Sequence, residues 1–121
     1  MATEYRINKK LEVSLSHKML DEFEKISLTT LVKIVLEKYI NSDFSLSGEE
    51  INKFYKNSNR NMRKNIYNVD ALVKDFDDKL EERVNFNTNR KRSAAIEVSL
   101  NKWLNGEYEI SREKFLQKYK K

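Results

Sequence analysis

One sequence pattern occurs twice in this chain. The stretch TTLVKIVLEKYINSDFSLSGEE at residues 29–50 aligns without a gap with SAAIEVSLNKWLNGEYEISREK at residues 93–114. Apolar residues meet apolar residues at the paired positions, as in Val32 with Ile96, Ile34 with Val98, Tyr39 with Trp103, and Ile40 with Leu104. Their spacing places them on one face of a helix. The match continues through a turn into a third element, which favours an internal duplication over chance similarity.

The composition predicts a mainly helical fold. The 121 residues include no proline and only two glycines, whereas sandwiches and barrels need turn residues at regular spacing. Cysteine is absent and His17 is the single histidine, which excludes disulfides, thiolate chemistry and a multi-histidine metal site. We therefore expect no metal and no other cofactor.

Charge and hydropathy favour a soluble protein with an anionic partner. The net charge is +5 at pH 7 and the pI is near 9.3. No apolar run approaches the ~20 residues that span a bilayer, and no charged-then-apolar leader opens the chain. We expect a cytoplasmic protein with no membrane partner and no small-molecule substrate. The sequence has no glycine-rich phosphate loop and no nucleophile constellation, so we expect no enzyme.

The first copy predicts a strand and three helices. Residues 9–16, KKLEVSLS, alternate between polar and apolar side chains, which is typical of a half-buried strand. Ser16 is then the expected cap of a first helix. A second helix is predicted over residues 30–41. Ser47 and Glu50 have the spacing of a capping box and predict a short third helix.

The second copy predicts the same order. RKNIYNVD at residues 63–70 is the strand candidate, and Asp70 is the expected cap of a helix. A second helix is predicted over residues 93–104 with Gly106 as its stop, and Ser111 opens a last helix. Upstream of the gapless match the offset changes, so we expect a longer first helix in this copy.

Duplication supplies a partner that a single unit lacks. A lone strand leaves its backbone hydrogen-bonding groups unpaired. Two copies in one chain allow their strands to pair antiparallel as a two-stranded ribbon, with helices packed behind it. We therefore predict one intertwined globular domain, in which residues 1–57 and 58–121 each provide one strand and its helices.

This order resembles the ribbon-helix-helix family of DNA-binding proteins. The resemblance rests on LEVSLSHKMLDEF at residues 11–23 and NRKRSAAIEVSLNKWL at residues 89–104. It implies two tandem ribbon-helix-helix units that form an intramolecular pseudo-dimer, a form known among accessory proteins of plasmid conjugation relaxosomes. The short extra helix after each unit lies outside the family pattern.

The resemblance implies that the ribbon enters the major groove of DNA and reads base edges. On the first strand, the expected reading residues are Lys10, Glu12 and Ser14. On the second strand, we favour the orientation that faces Lys64, Ile66 and Asn68 outward, because it buries Tyr67 and Val69. The alternative orientation faces Arg63, Asn65 and Tyr67 outward.

The same resemblance implies phosphate contacts at the start of each second helix, where backbone N–H groups and the helix dipole attract anions. The expected phosphate-binding residues are Thr29 and Thr30 in the first copy, and Arg90, Lys91, Arg92 and Ser93 in the second.

The function that follows from the resemblance is sequence-specific binding of double-stranded DNA. We expect an accessory protein of a relaxosome or transfer origin, or a regulator, encoded by a plasmid or other mobile element. A relaxase, or copies of the chain on adjacent sites, are the further partners expected. A transcriptional repressor or antitoxin-type regulator is the first alternative. The second is a helical protein-interaction module that uses the aromatic residues of the late helices.

Overall fold

The chain is mainly helical and contains one two-stranded antiparallel sheet. The computed structural model describes residues 2–84 and 91–120. In chain order, the elements are β1 (Ala2–Ile7), α1 (Lys9–Phe23), α2 (Leu28–Ile40), α3 (Gly48–Asn57), β2 (Met62–Tyr67), α4 (Asp70–Val84), α5 (Arg92–Leu104) and α6 (Arg112–Tyr119).

The first strand lies earlier in the chain than predicted. Residues 9–16 are not a strand but the first half of α1, and Ser16 lies inside that helix. Asn8 is the N-cap, and its side chain accepts hydrogen bonds from the backbone N–H groups of Lys10 and Leu11. Leu11 and Leu15 alternate with polar residues, but they are also four residues apart and share one helix face. The cap at Asn8 and the four-residue spacing of Leu11 and Leu15 together favour a helix over a strand.

The strand is instead formed by ATEYRI at residues 2–7. Tyr5 and Ile7 are buried, whereas Glu4 and Arg6 are exposed, which is the alternation of a half-buried strand. β1 pairs antiparallel with β2 along its whole length. Antiparallel pairing of two distant strands was therefore predicted correctly, with the wrong residues in the first strand.

The helices of the two halves have matching lengths. α2 and α5 each have 13 residues, and their bounds differ by the same offset as the two aligned sequence stretches. α1 and the described part of α4 each have 15 residues. The longer first helix of the second copy was expected from the residues around 80–90, of which 85–90 lie outside the described residues, so it stays a prediction.

Local signals end and begin the later helices as the sequence predicts. The Ser47 side chain accepts from the Glu50 N–H and the Glu50 side chain accepts from the Ser47 N–H, which completes the capping box of α3. Ser111 caps α6 through the N–H of Lys114. α5 ends one residue before its C-cap Asn105, and Gly106 follows with a φ of 79°. A left-handed residue at this position favours glycine, because glycine has no Cβ to clash.

Helices of one half pack mainly on helices of the other half. α2 contacts α4, α5 and α6, while α5 contacts β1, α1 and α3 in addition to α2. The buried face of α2 is almost entirely apolar and includes Leu31, Val32, Ile34, Val35 and Leu36. The core therefore lies between the two halves, under the inner face of the ribbon.

Two groups of aromatic rings fill this core away from the ribbon. Phe23 stacks on Phe115 at 4.2 Å between ring centroids and on Trp103 at 5.8 Å. Phe44 and Tyr108, from the loops after α2 and α5, stack at 4.2 Å. These rings connect the C-terminal ends of the second helices to the short third helices. None of the described helices combines the length and the apolar character needed to cross a bilayer.

Candidate nucleic-acid interface

The ribbon has one face on the core and one in solvent. Tyr5, Ile7 and Ile66 are buried on the inner face. Burial, with a contribution from the carboxylate of Glu12, raises the pKa of Tyr5 well above its usual value, so the phenol stays neutral under the sheet. The described side chains of the outer face that are exposed to solvent are Glu4, Arg6, Arg63, Asn65 and Tyr67.

The residues expected to read bases from the first strand do not lie on the ribbon. Lys10, Glu12 and Ser14 belong to α1, so their prediction as outward residues of a strand is wrong. Lys10 and Ser14 are exposed on that helix. The Glu12 carboxylate lies 2.6 Å from Lys64 Nζ and ties α1 to the second strand. The helical structure of residues 9–16 is the reason for all three errors.

The second strand has the alternative of the two orientations predicted from sequence. Its side chains at Arg63, Asn65 and Tyr67 face solvent. The favoured orientation, with Lys64, Ile66 and Asn68 outward, is wrong: Ile66 is only 1% exposed and Lys64 is paired with Glu12.

The error comes from the end of the strand. Asn68 follows β2 with a φ of 59°, a left-handed conformation that asparagine tolerates better than most residues. The strand therefore stops at Tyr67, and the alternation does not continue to the next residue. Val69 is buried as expected, but as the residue before α4 rather than as part of the strand.

Two arginines lie directly opposite each other on the outer face. Arg6 on β1 pairs with Arg63 on β2. Like charges at directly opposite positions destabilise a sheet, so this pair is unfavourable for the free protein. Arg63 Nε is 2.8 Å from Glu4 Oε1, which offsets part of the repulsion. Both arginine side chains are exposed to solvent on the same face of the ribbon.

The open edge of β1 is closed by α5. Ser93 Oγ accepts a hydrogen bond of 2.9 Å from the backbone N–H of Arg6, and Glu97 Oε2 accepts one of 2.9 Å from the N–H of Asn8. Ser93 and Glu97 are four residues apart and lie on one helix face. The start of α5 is thereby fixed beside the ribbon.

Glu97 is completely buried and has three partners. Its carboxylate accepts from Ser58 Oγ at 2.9 Å and from Arg60 at 3.2 Å, in addition to the N–H of Asn8. Arg60 also donates to the carbonyl groups of Phe54 and Tyr55 at the end of α3. A buried carboxylate needs such partners to remain in the core. This cluster fixes the segment between α3 and β2 against α5.

The basic residues before α5 already have partners within the chain. Arg92 forms a two-point contact with the Asp77 carboxylate, with Nε 3.0 Å from Oδ1. Lys91 donates to Asn52 Oδ1 at 2.6 Å and lies over the ring of Tyr55. Arg90, the remaining basic residue predicted to bind phosphate here, lies outside the described residues. The phosphate contacts of this group stay a prediction.

The starts of α2 and α5 differ in their capping. At α2, Ser27 Oγ accepts from the N–H of Thr30 and also contacts the Thr30 hydroxyl at 2.8 Å. Thr30 is therefore largely buried in the cap, while Thr29 is exposed. In the described part of α5, the N-cap residue Lys91 makes no capping hydrogen bond with its side chain. Among the described residues, a side-chain cap therefore satisfies a first-turn N–H group of α2 but not of α5.

The sequence analysis did not identify Glu4 and Arg6 as outward-facing residues of the first strand. The signal was present, because Thr3, Tyr5 and Ile7 alternate with Glu4 and Arg6 immediately before a good capping residue, Asn8. The alternating run over residues 9–16 places three apolar residues on one side, against two for residues 2–7, so the sequence alone favours residues 9–16 as the strand. Comparison of the chain with protein-family models, with curated proteins and with solved structures finds no match.

Proposed function

We propose that this protein binds double-stranded DNA sequence-specifically, with the outer face of the β1–β2 ribbon in the major groove. The observation that carries the proposal is the pair Arg6 and Arg63, exposed and directly opposite each other on that face. Such a pair is unfavourable without an anionic partner. A two-stranded ribbon fits the major groove, which is about 12 Å wide.

In this proposal the chain acts as a single-chain pseudo-dimer of two ribbon-helix-helix units. The support is the repeated order of strand and helices, the equal lengths of α2 and α5, and the pairing of the two strands. The starts of α2 and α5 then bind phosphates on either side of the ribbon. α5 has a direct connection to the ribbon, through Ser93 and the Arg6 N–H.

We propose a role as an accessory factor at a transfer origin or as a regulator on a plasmid or other mobile element, because both roles use the same DNA-reading surface. A relaxase or neighbouring copies of the chain are the proposed further partners. A purely helical interaction module has less support, since Phe115 is fully buried and Tyr55 and Tyr119 lie beside basic side chains.

The test is selection of bound duplexes from a random DNA pool at about 150 mM salt, which weakens non-specific phosphate binding. We expect an enriched motif of a few base pairs. The double variant Arg6→Ala/Arg63→Ala should lose the motif. Its control is Arg112→Ala/Lys120→Ala, which removes the same charge at α6, a helix that packs on α1 and α2. Enrichment of no motif by the unmodified protein would refute sequence-specific binding.

A further inference from the structure

The outer face of the ribbon has two different ends. Three cross-strand pairs follow one another along it: Arg6 with Arg63, Glu4 with Asn65, and Ala2 with Tyr67. Both arginines therefore lie at one end, where β1 leads into α1. Tyr67, which is 60% exposed, lies at the other end, where β2 leads into α4. Exchanging the two strands does not restore the same surface.

Glu4 controls how Arg63 can be presented. Its carboxylate lies 2.8 Å from Arg63 Nε, which is the guanidinium nitrogen nearest the backbone. Within residues 2–84 and 91–120, the two terminal nitrogens of Arg63 donate no hydrogen bond, so they can act as a donor pair. Arginine uses such a pair to bind guanine O6 and N7 in the major groove. The Arg6 side chain makes no hydrogen bond or ion pair within residues 2–84 and 91–120.

The other exposed residues match different bases. Asparagine binds adenine through N6 and N7, which fits Asn65 at the middle of the face. A tyrosine ring offers apolar contact to the methyl group of thymine, which fits Tyr67 at the far end. A strand advances about 6.8 Å for each two residues, so the arginine pair and Tyr67 are about 14 Å apart. Stacked base pairs are about 3.4 Å apart, so this distance covers about four base steps.

We propose that the ribbon is a directional reader: it binds a non-palindromic site with guanine under Arg6 and Arg63 and thymine under Tyr67, about four base pairs away. Glu4 is a positioning residue that orients the Arg63 guanidinium group toward the base edge. This inference rests on the proposed function, and it assigns the chemical identity and the polarity of the site.

The polarity can be measured because the chain has no cysteine. A single introduced cysteine can carry a photo-crosslinker on a short linker. Asn59→Cys places it near the arginine end, because the Asn59 carbonyl accepts from Asn8 beside that end of β1. Ala71→Cys places it beyond Tyr67, in the first turn of α4. On the selected duplex, we expect crosslinks at the guanine end from the first variant and at the opposite end from the second.

The positioning role of Glu4 has a separate readout. Glu4→Gln removes a negative charge from the face, so affinity for random duplex should stay equal or rise. Discrimination of guanine over other bases under Arg63 should fall by about fivefold or more, the lower range for one bidentate contact. Glu109→Gln, at an exposed position between α5 and α6, makes the same charge change and should alter neither quantity.

Each experimental outcome tests a different part of the proposal. A palindromic motif, or equal crosslinking of both DNA ends by each variant, overturns the directional reader and leaves sequence-specific DNA binding intact. A motif without guanine at the end crosslinked from Asn59→Cys overturns the base assignment. An equal rise in specific and random affinity for Glu4→Gln overturns the positioning role. Absence of any selected motif overturns the proposed function and, with it, this inference.

Discussion

The helices α2 and α5 occupy matching positions in the two halves but have different surroundings. Along its buried face, α2 is apolar except for the capping Thr30. α5 contains the buried polar residues Glu97 and Ser99, and it accepts hydrogen bonds from the backbone N–H of Arg6 in β1 and from that of Asn8, the cap of α1. At the position in α2 that aligns with Glu97 stands Lys33, which is only partly buried.

The difference shows that two helices at aligned positions can have different structural roles. α2 contributes mainly apolar area to the core between the halves. α5 contributes apolar area and also fixes the ribbon edge, the segment before β2 and, through Arg92, the side of α4. Removal of a polar contact of α5, such as that of Glu97, should therefore affect both stability and the proposed binding surface, whereas a change at the aligned Lys33 of α2 should affect both much less.

The largest expected effect comes from separating the halves. Residues 1–57 alone should be unfolded or self-associated, because α2 buries its apolar face on helices of the second half. Circular dichroism and analytical ultracentrifugation of this fragment test the expectation. Mixing it with residues 58–121 should restore helical signal. A folded, monomeric 1–57 fragment would show that the comparison between interdependent halves is mistaken.

Glu97→Ala should lower the free energy of unfolding by about 3–5 kcal/mol, the usual range for breaking a buried ion pair. The change removes the acceptor for Arg60, Ser58 Oγ and the N–H of Asn8. The control is Lys33→Ala at the aligned position of α2, which should stay within about 0.5 kcal/mol of the unmodified chain. Urea unfolding measures both. Equal destabilisation would remove the distinction between α2 and α5.

Releasing Arg92 from its carboxylate partner should moderately strengthen the proposed DNA binding. Asp77→Asn removes the carboxylate that holds the Arg92 guanidinium group at the start of α5. The slope of log affinity against log salt should steepen by about 0.9 for one additional phosphate contact. Asp78→Asn makes the same charge change one residue further on, where the partner is Lys74. If the two variants change the slope equally, Arg92 has no special role in the proposed phosphate contact at the start of α5.

The smallest predicted change in stability concerns the third helices, α3 and α6. α3 has Glu50 in its capping box, whereas α6 has Lys114 at the aligned position. Burial acts to raise the pKa of Glu50, but hydrogen bonds from Lys102 and from the Ser47 N–H outweigh it and hold the pKa below its ordinary value of 4.5. The charged form therefore stabilises the fold above pH 4.5, and this stabilisation is lost as pH falls through the lowered native value.

Glu50→Gln should accordingly reduce stability at pH 7 by less than about 1 kcal/mol, because 42% of this side chain is exposed and solvent screens its ion pair with Lys102. The difference from the unmodified chain should shrink as the pH falls below 4.5. Urea unfolding at pH 7, 5 and 3 measures the trend, and Glu49→Gln, one residue earlier in the same helix, is the charge-matched control. A difference that grows toward acid pH would contradict the sign.

The second and third helices of each half could be predicted from sequence because several signals agree there. The aligned apolar positions, the capping pair Ser47 and Glu50, and the stop at Gly106 all indicate the same bounds. Agreement between periodicity and capping makes a local prediction reliable. Nothing in the tertiary structure competes with these signals.

The ribbon could be predicted only in part, because short alternating runs fit more than one structure. Leu11, Val13 and Leu15 satisfy the period of a strand, and the exposed Val13 shows that α1 does not use all three in the core. The orientation of β2 depended on whether the strand extends past Tyr67, and the left-handed Asn68 decides this. The number of apolar residues that an orientation would bury does not reveal the backbone conformation of a single residue such as Asn68. The predicted base-reading residues were wrong for the same two reasons, because they were chosen from the position of the first strand and the orientation of the second.

The pairing of β1 with β2 has a consequence for how the chain folds during its synthesis. The two strands are far apart in sequence, so the ribbon is a contact of high sequence separation, which slows folding. The first half leaves the ribosome with the apolar face of α2 uncovered until α4 and α5 have been made. At about 5–20 residues per second this interval lasts several seconds, in which the nascent chain is exposed to aggregation or chaperone binding. The order of synthesis therefore makes the second half the one that completes both the core and the ribbon.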